Sequence, residues 1–340
     1  MTASTHALTE ARLIGRRRLA GLLAAWPLAS LAQDAPPTVA ASAGRAFEGM
    51  DAHIERDLPN VQSAVVMWRG QAVYAYHRDG NPDTLHDVQS VDKSAASTLV
   101  GIAMAEKRFA GLDQPIEELM PEWAGLNADA RTRSITLRHL LSMSTGFDTR
   151  APWSRAATAS AWGRPLVQAP GSAFAYDNAL APLVGALLEK HTGRPIARYA
   201  QDVLTGPLGM GAPSLDGGTL RMRTRDMAAL GQLWLQHGRW ADVQRIDPAY
   251  VDAATSPQNS GGRPGGLPYG LGWWIPPSEP QRRTFFALGF GGQYIWVHPP
   301  RDLVIATTST VSGESAAEGA ALNLIRGRLR DAVGRLGPSR

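Results

Sequence analysis

The sequence predicts an α+β fold, with one antiparallel sheet drawn from both ends of the chain and helices inserted between them. Two observations carry this. β-Rich runs lie near the start, SAVVMWRGQAVYAYH, and near the end, TFFALGF, QYIWVHP and DLVIATTST. Between them, the stretch from about residue 127 to 238 spaces its apolar residues as helices do. With 340 residues, 44% hydrophobic and 19% charged, the chain can bury a sizeable core.

The first 32 residues read as an export signal. Arg16, Arg17 and Arg18 precede the apolar run LAGLLAAWPLASLA, which is too short to span a bilayer, and Ser30 and Ala32 fit the small-residue positions of a cleavage site before Gln33. The arginine pair followed by Leu19 also matches a twin-arginine signal, so the export route stays open between that and the Sec pathway. The chain has no cysteine, hence neither a lipid anchor at the cut nor disulfides. A periplasmic or secreted protein with no stable membrane anchor is expected.

A Pro/Ala-rich leader, DAPPTVAASAG, belongs to a segment taken as 33–60. The runs flanking Arg69 and Gly70 then read as a β-hairpin. From Ser90 to about Arg108 apolar residues lie nearly all round the helix, so this helix is expected to be central and buried. Three helices follow, TLRHLLSMSTG, ALAPLVGALLEKHTG and TRDMAALGQLWLQHG, each closing on a candidate C-terminal glycine: Gly146, Gly193 and Gly238. A Gly/Pro/Ser loop from Thr255 to Pro268 leads to the last strands and a final helix from about Ala316 to Val333. The domain reading is a sheet domain from 61–126 and 239–340, with a mainly helical insert at 127–238. No internal repeat is present.

The 34 basic residues divide into 31 arginines and 3 lysines. Net charge is +4, with no dense basic run or basic–aromatic interleaving, so nucleic acid is not an expected partner. A lysine amine can lose its proton where a guanidinium cannot, which makes the lysine at 93 a candidate base. Ser90 and Lys93 form S-x-x-K at the start of the buried helix, on one face and one turn apart. A neutral amine there can take the serine proton. The competing reading makes Ser90 a helix cap, but it leaves Lys93 in a first turn where the helix dipole disfavours a cation. In PGSAFAYDNAL, Tyr176 and Asn178 stand at the entry of the next helix, where Asn178 could equally cap the helix and Tyr176 pack in a loop. In ALGFGGQYIWV, Gly289, Gly291 and Gly292 allow backbone to approach a ligand closely and present N–H groups, or simply to turn.

S-V-D-K, TLRHLLSMSTGFD, Y-D-N and GFGGQYIWV, in this order over about residues 61–325, resemble the serine β-lactamase-related hydrolases. That superfamily includes class C β-lactamases, D-Ala-D-Ala carboxypeptidases, esterases and 6-aminohexanoate-dimer hydrolases. The resemblance implies a β-lactamase/transpeptidase-like fold, an antiparallel sheet flanked by helices beside a helical domain, with the site in the cleft between them. It also implies Ser90 as acylated nucleophile, Lys93 as its base, Tyr176 as proton relay and Asn178 as a substrate-orienting amide. The oxyanion hole would be the N–H groups of Ser90 and Phe290, beside Gly289 and Gly291. The expected function is an exported serine hydrolase acting on a small amide or ester. β-Lactamase or D-Ala peptidase activity and a non-catalytic binding or sensing relative are the alternatives.

Two departures matter. Where the family has Lys-Thr-Gly or His-x-Gly, this chain has Ala287, Leu288 and Gly289, losing the cation for a substrate carboxylate. Asp92, inside the first motif, is also unusual. With Trp153, Trp162, Trp273, Trp274 and Phe290 taken to line an apolar cleft, substrates with an uncharged end, 6-aminohexanoate-type oligomers included, are expected. Scattered histidines, and the lack of a P-loop or Rossmann glycine pattern, leave no cofactor and no metal site expected.

Overall fold

The computed structural model describes residues 37–211, 213–216, 219–278, 283–311 and 315–337. The export signal expected at 1–32 lies outside the described residues. Five antiparallel strands form the main sheet in the order Phe285–Gly289, Gln293–His298, Leu303–Ser309, Val61–Trp68, Gln71–His77, so the two chain ends meet at its centre. The hairpin turns at Arg69 and Gly70, both with positive φ (52° and 77°), as a tight right-twisting connection requires.

The segment 33–60, expected as a leader, carries two helices, Pro37–Ala46 and Met50–Asp57. Phe47, Met50 and Ile54 share a face and are buried, with Phe47 stacked on Tyr74 at 4.7 Å between centroids. The Pro/Ala composition of the opening concealed this apolar stripe.

The helix Thr224–Leu235 lies on the sheet rather than in the helical layer, packing on the strands at 61–68, 293–298 and 303–309. A methyl at Gly231 would sit 2.6 Å from Val304 and 2.7 Å from Ile295, so only glycine lets this helix seat so closely. Buried hydroxyls of Ser63, Thr224 and Thr308 bind its first turn to the sheet. The insert expected to run to residue 238 therefore gives up its last helix to the sheet.

The predicted central helix runs from Asp92 to Ala105, preceded by a 3₁₀ turn, Gln89–Val91, that holds Ser90. It packs on the helix Leu180–Thr192 on one side. On others, Trp234 Nε1 donates to Thr98, the Tyr250 hydroxyl donates to the Ser97 carbonyl, and Gly101 leaves room for Ile246 and Tyr250. Gly193 closes its helix with φ 68° as expected. Gly146 does not. The helix at Thr136 is only Leu137–Leu141, started by a Thr136–His139 capping box, and the chain leaves it through Met143 at φ 56°. Gly146 instead allows the backbone to touch the Gln168 carbonyl, where a Cβ would lie 2.3 Å away.

The expected loop at 255–268 contains a hairpin, Asn259–Gly262 with Leu267–Tyr269. Glycine and proline hide it, because its strands carry little β-branched or apolar signal. At the other end, the final helix spans Ser315–Leu324, a π turn and Arg330–Leu336.

Candidate active site

Ser90 and Lys93 come together as the S-x-x-K spacing predicts, with Lys93 Nζ donating to Ser90 Oγ at 3.3 Å. Ser90 does not cap the helix. The residue before it, Gln89, is held at φ 49°, a conformation that costs free energy for a side chain with a Cβ. Asp87 supports it by accepting from the Gln89 N–H at 2.9 Å and from its side-chain amide at 2.7 Å. Ser90 thus sits on a braced, strained turn.

Lys93 is buried and its amine has a second partner, Asp92 Oδ1, at 3.1 Å. Tyr176 faces the same amine, whose Nζ lies 5.3 Å from the ring centroid. Burial is the largest single influence and pushes the amine down, as sequence reasoning expects of a base. The Asp92 carboxylate and the Tyr176 phenol together outweigh it, so the amine stands above the ordinary lysine value. The direction depends on where the Asp92 side chain points, which spacing does not encode.

Tyr176 is half-buried and stacks on Trp274 (6.4 Å, 15° between planes), within a cluster that also holds Phe174 and Tyr269. Its position is fixed from the neighbouring residue. Asp177 is buried and takes both guanidinium nitrogens of Arg164, at 3.1 and 2.6 Å, and accepts the Ala179 N–H at 2.9 Å. The capping-type bond at this helix entry is therefore made by Asp177, and Asn178, exposed, is left facing the cleft. Arg164 gave no signal in the sequence because its partner is not at helical or strand spacing.

A cleft of about 760 Å³ is lined by Gln89, Ser90, Tyr176, Asn178, Arg263, Pro264, Leu288 and Phe290. Gly289 lies at the junction, where a Cβ would be 2.4 Å from the Val88 carbonyl, so the strand edge and the turn that holds Ser90 touch through bare backbone. Phe290 is 45% exposed into the opening. Gly291 is buried and turns away at φ 85°, toward the Thr310 carbonyl, and does not line the cleft. Of the aromatic residues expected there, Phe290 lines it and Trp274 supports Tyr176, whereas Trp162 and Trp273 are core residues packed on Trp123 and Trp234. Ala287 is buried, and the apolar-cleft expectation fails at one residue that sequence reasoning missed, Arg263.

The family model described as Beta-lactamase matches residues 45–327. The chain belongs to that family. Among relatives of this β-lactamase-family chain, an esterase from Burkholderia gladioli is 29% identical over 182 residues, covering 43% of this chain and 45% of the esterase. The chain thus matches less than half of that relative's length. A 6-aminohexanoate-dimer hydrolase from Paenarthrobacter ureafaciens is 26% identical over 286 residues, covering 73% and 72%. The octameric penicillin-binding protein homologue from Pyrococcus abyssi superposes with a TM-score of 0.64 at 20% identity, over 84% of this chain and 77% of that one, which shows the shared β-lactamase/transpeptidase-like fold.

Two predictions follow from this geometry. An amine must be neutral to accept a proton, and Asp92 favours its charged form, so any turnover that uses Lys93 as a base should rise with pH on a limb set by that amine. Asp92→Asn removes the carboxylate and leaves burial less opposed; the limb should move to lower pH in a kcat/KM–pH profile, and a shift to higher pH, or none, would contradict the assignment. Asp177→Asn should strand the Arg164 charge and cost about 3–5 kcal/mol in urea denaturation. Replacing both partners with apolar residues should recover most of that loss.

Proposed function

We propose that the chain is an exported serine acyl hydrolase that cleaves small esters or amides through an acyl-enzyme on Ser90. The observation that carries this reading is the 3.3 Å contact between Ser90 Oγ and the buried Lys93 amine at the floor of an open cleft, with Tyr176 against the same amine. Ser90 Oγ attacks the substrate carbonyl carbon as its proton passes to neutral Lys93. The charge that develops on the carbonyl oxygen is met by the backbone N–H groups of Ser90 and Phe290, on the two elements that touch at Gly289. Collapse of the intermediate breaks the ester or amide bond, and the leaving oxygen or nitrogen takes the proton from Lys93 through the Tyr176 hydroxyl. Water then adds to the acyl carbon and gives a proton to the same pair, the bond from the acyl carbon to Ser90 Oγ breaks, and the pair returns that proton to Ser90 Oγ as the acid product leaves. The named relatives, an esterase and a 6-aminohexanoate-dimer hydrolase, support this reading.

A fluorophosphonate probe should add its mass to the peptide carrying Ser90, and Ser90→Ala should abolish labelling and turnover across a panel of esters, short amides, D-Ala peptides and β-lactams. Lys93→Arg should lose several orders of magnitude in acylation although charge is kept, because guanidinium cannot serve as the base. Labelling of another serine, or near-normal Lys93→Arg rates, would falsify the assignment. Export rests on the arginines at 16–18 and the apolar run behind them. N-terminal sequencing of protein recovered outside the cytosol should read from near Gln33, and full-length protein retained in the cytosol would refute export.

A further inference from the structure

Of the eight residues lining the cleft, Arg263 is the single one with a formal charge. The other cation near the nucleophile, Lys93, is already balanced by Asp92 at 3.1 Å. Among the described residues no carboxylate lies within ion-pair distance of Arg263, whereas Arg131, Arg138, Arg164 and Arg223 each have one. The strand edge adds only Leu288 and Phe290 to the cleft, so it offers no cation of its own.

Arg263 is exposed, but its backbone is not loosely placed. It stands at the tip of the hairpin formed by Asn259–Gly262 and Leu267–Tyr269. Gly265 lies so close to the Trp274 ring that a Cβ would be 2.6 Å from it, and Gly262 approaches Phe174, where a Cβ would be 3.1 Å away. Trp274 in turn stacks on Tyr176. The hairpin tip and the proton-relay tyrosine are therefore two sides of one aromatic cluster, and the backbone that carries Arg263 is held relative to Ser90 through it.

We propose that Arg263 is the anion-recognition residue of this cleft, and that the preferred substrates are small esters or amides bearing a carboxylate on one side of the scissile bond. A guanidinium offers a planar fork of donors that a carboxylate fills with two parallel hydrogen bonds. The Asn178 amide, on the opposite element of the same cleft, supplies a further donor. The inference rests on the serine hydrolase reading and replaces the uncharged-end expectation drawn from Ala287, since the cation reaches the cleft from a different element.

Two substrate pairs test it: p-nitrophenyl butyrate against mono-p-nitrophenyl glutarate, and phenyl acetate against 4-acetoxybenzoate, which place the carboxylate on the acyl and leaving side. In at least one pair the carboxylate member should have the higher kcat/KM by about tenfold, the worth of one charge-assisted bond. In Arg263→Gln that ratio should fall to about one, with Arg263→Lys between. Turnover with no preference in either pair, or a preference that survives Arg263→Gln, overturns the proposal. Calorimetric binding of the carboxylate ester of each pair, mono-p-nitrophenyl glutarate and 4-acetoxybenzoate, to Ser90→Ala protein separates the two readings. If Ser90→Ala binds the ester and added Arg263→Gln abolishes binding while wild type turns over no ester, the anion site stands and the hydrolase reading fails. If wild type hydrolyses esters and Arg263→Gln leaves binding unchanged, the reverse holds.

Discussion

The buried pair between Arg164 and Asp177 is the constraint on which the helical half of the site depends. Two charges out of water cost more than their attraction returns unless their remaining donors and acceptors are met. Here they are: Arg164 Nε also donates to the Ala161 carbonyl at 2.8 Å, its guanidinium lies 5.1 Å from the Phe147 ring, and Asp177 takes the Ala179 N–H. Such a pair contributes geometry more than net stability. It fixes one residue of a three-residue turn, so that Tyr176 on one side meets Lys93 and Asn178 on the other meets the cleft.

The sheet half depends on close backbone approach instead of charge. Gly289 against Val88 joins the strand edge to the turn that holds Ser90, and Gly272 does the same for the helix behind it, where a Cβ would lie 2.8 Å from the Lys93 carbonyl. Ser94 Oγ donates to the Gly272 carbonyl at 2.6 Å, which ties the two further. Lys93 is therefore gripped at its backbone, and its amine is held between Ser90 and Asp92. Burial and Asp92 then pull that amine in opposite directions, and the outcome sets the pH at which it loses its proton.

What could be read from the sequence was what repeats or spaces regularly. S-x-x-K gave the Ser90–Lys93 contact because one helical turn brings residues three apart together whatever surrounds them. The edge strands and the Arg69–Gly70 turn were legible for the same reason. Contacts between distant segments were not. Arg164 and Asp177, thirteen residues apart in a loop, have no period to reveal them; Trp162 and Trp273 look the same in sequence whether they face a cleft or a core. The hairpin bearing Arg263 is built from Asn, Ser and Gly, so its composition spoke for a loop. The helix at 224–235 has an amphipathic pattern that shows a buried face but not which layer buries it.

The charges of the cleft bear on one another. A carboxylate brought near Ser90 would, by itself, favour the ammonium form of Lys93 further and oppose the proton transfer that acylation needs. Arg263 carries the opposite sign into the same cleft, so a substrate anion held there arrives as a neutral pair. The balance at Lys93 is then left to Asp92 and Tyr176, the two groups already in place before substrate binds. A cation at position 287 would instead come from the strand edge that also presents Phe290. With the cleft's arginine on the hairpin instead, Leu288 and Phe290 form an apolar wall, and the proposed anion site stands apart from the proposed oxyanion hole.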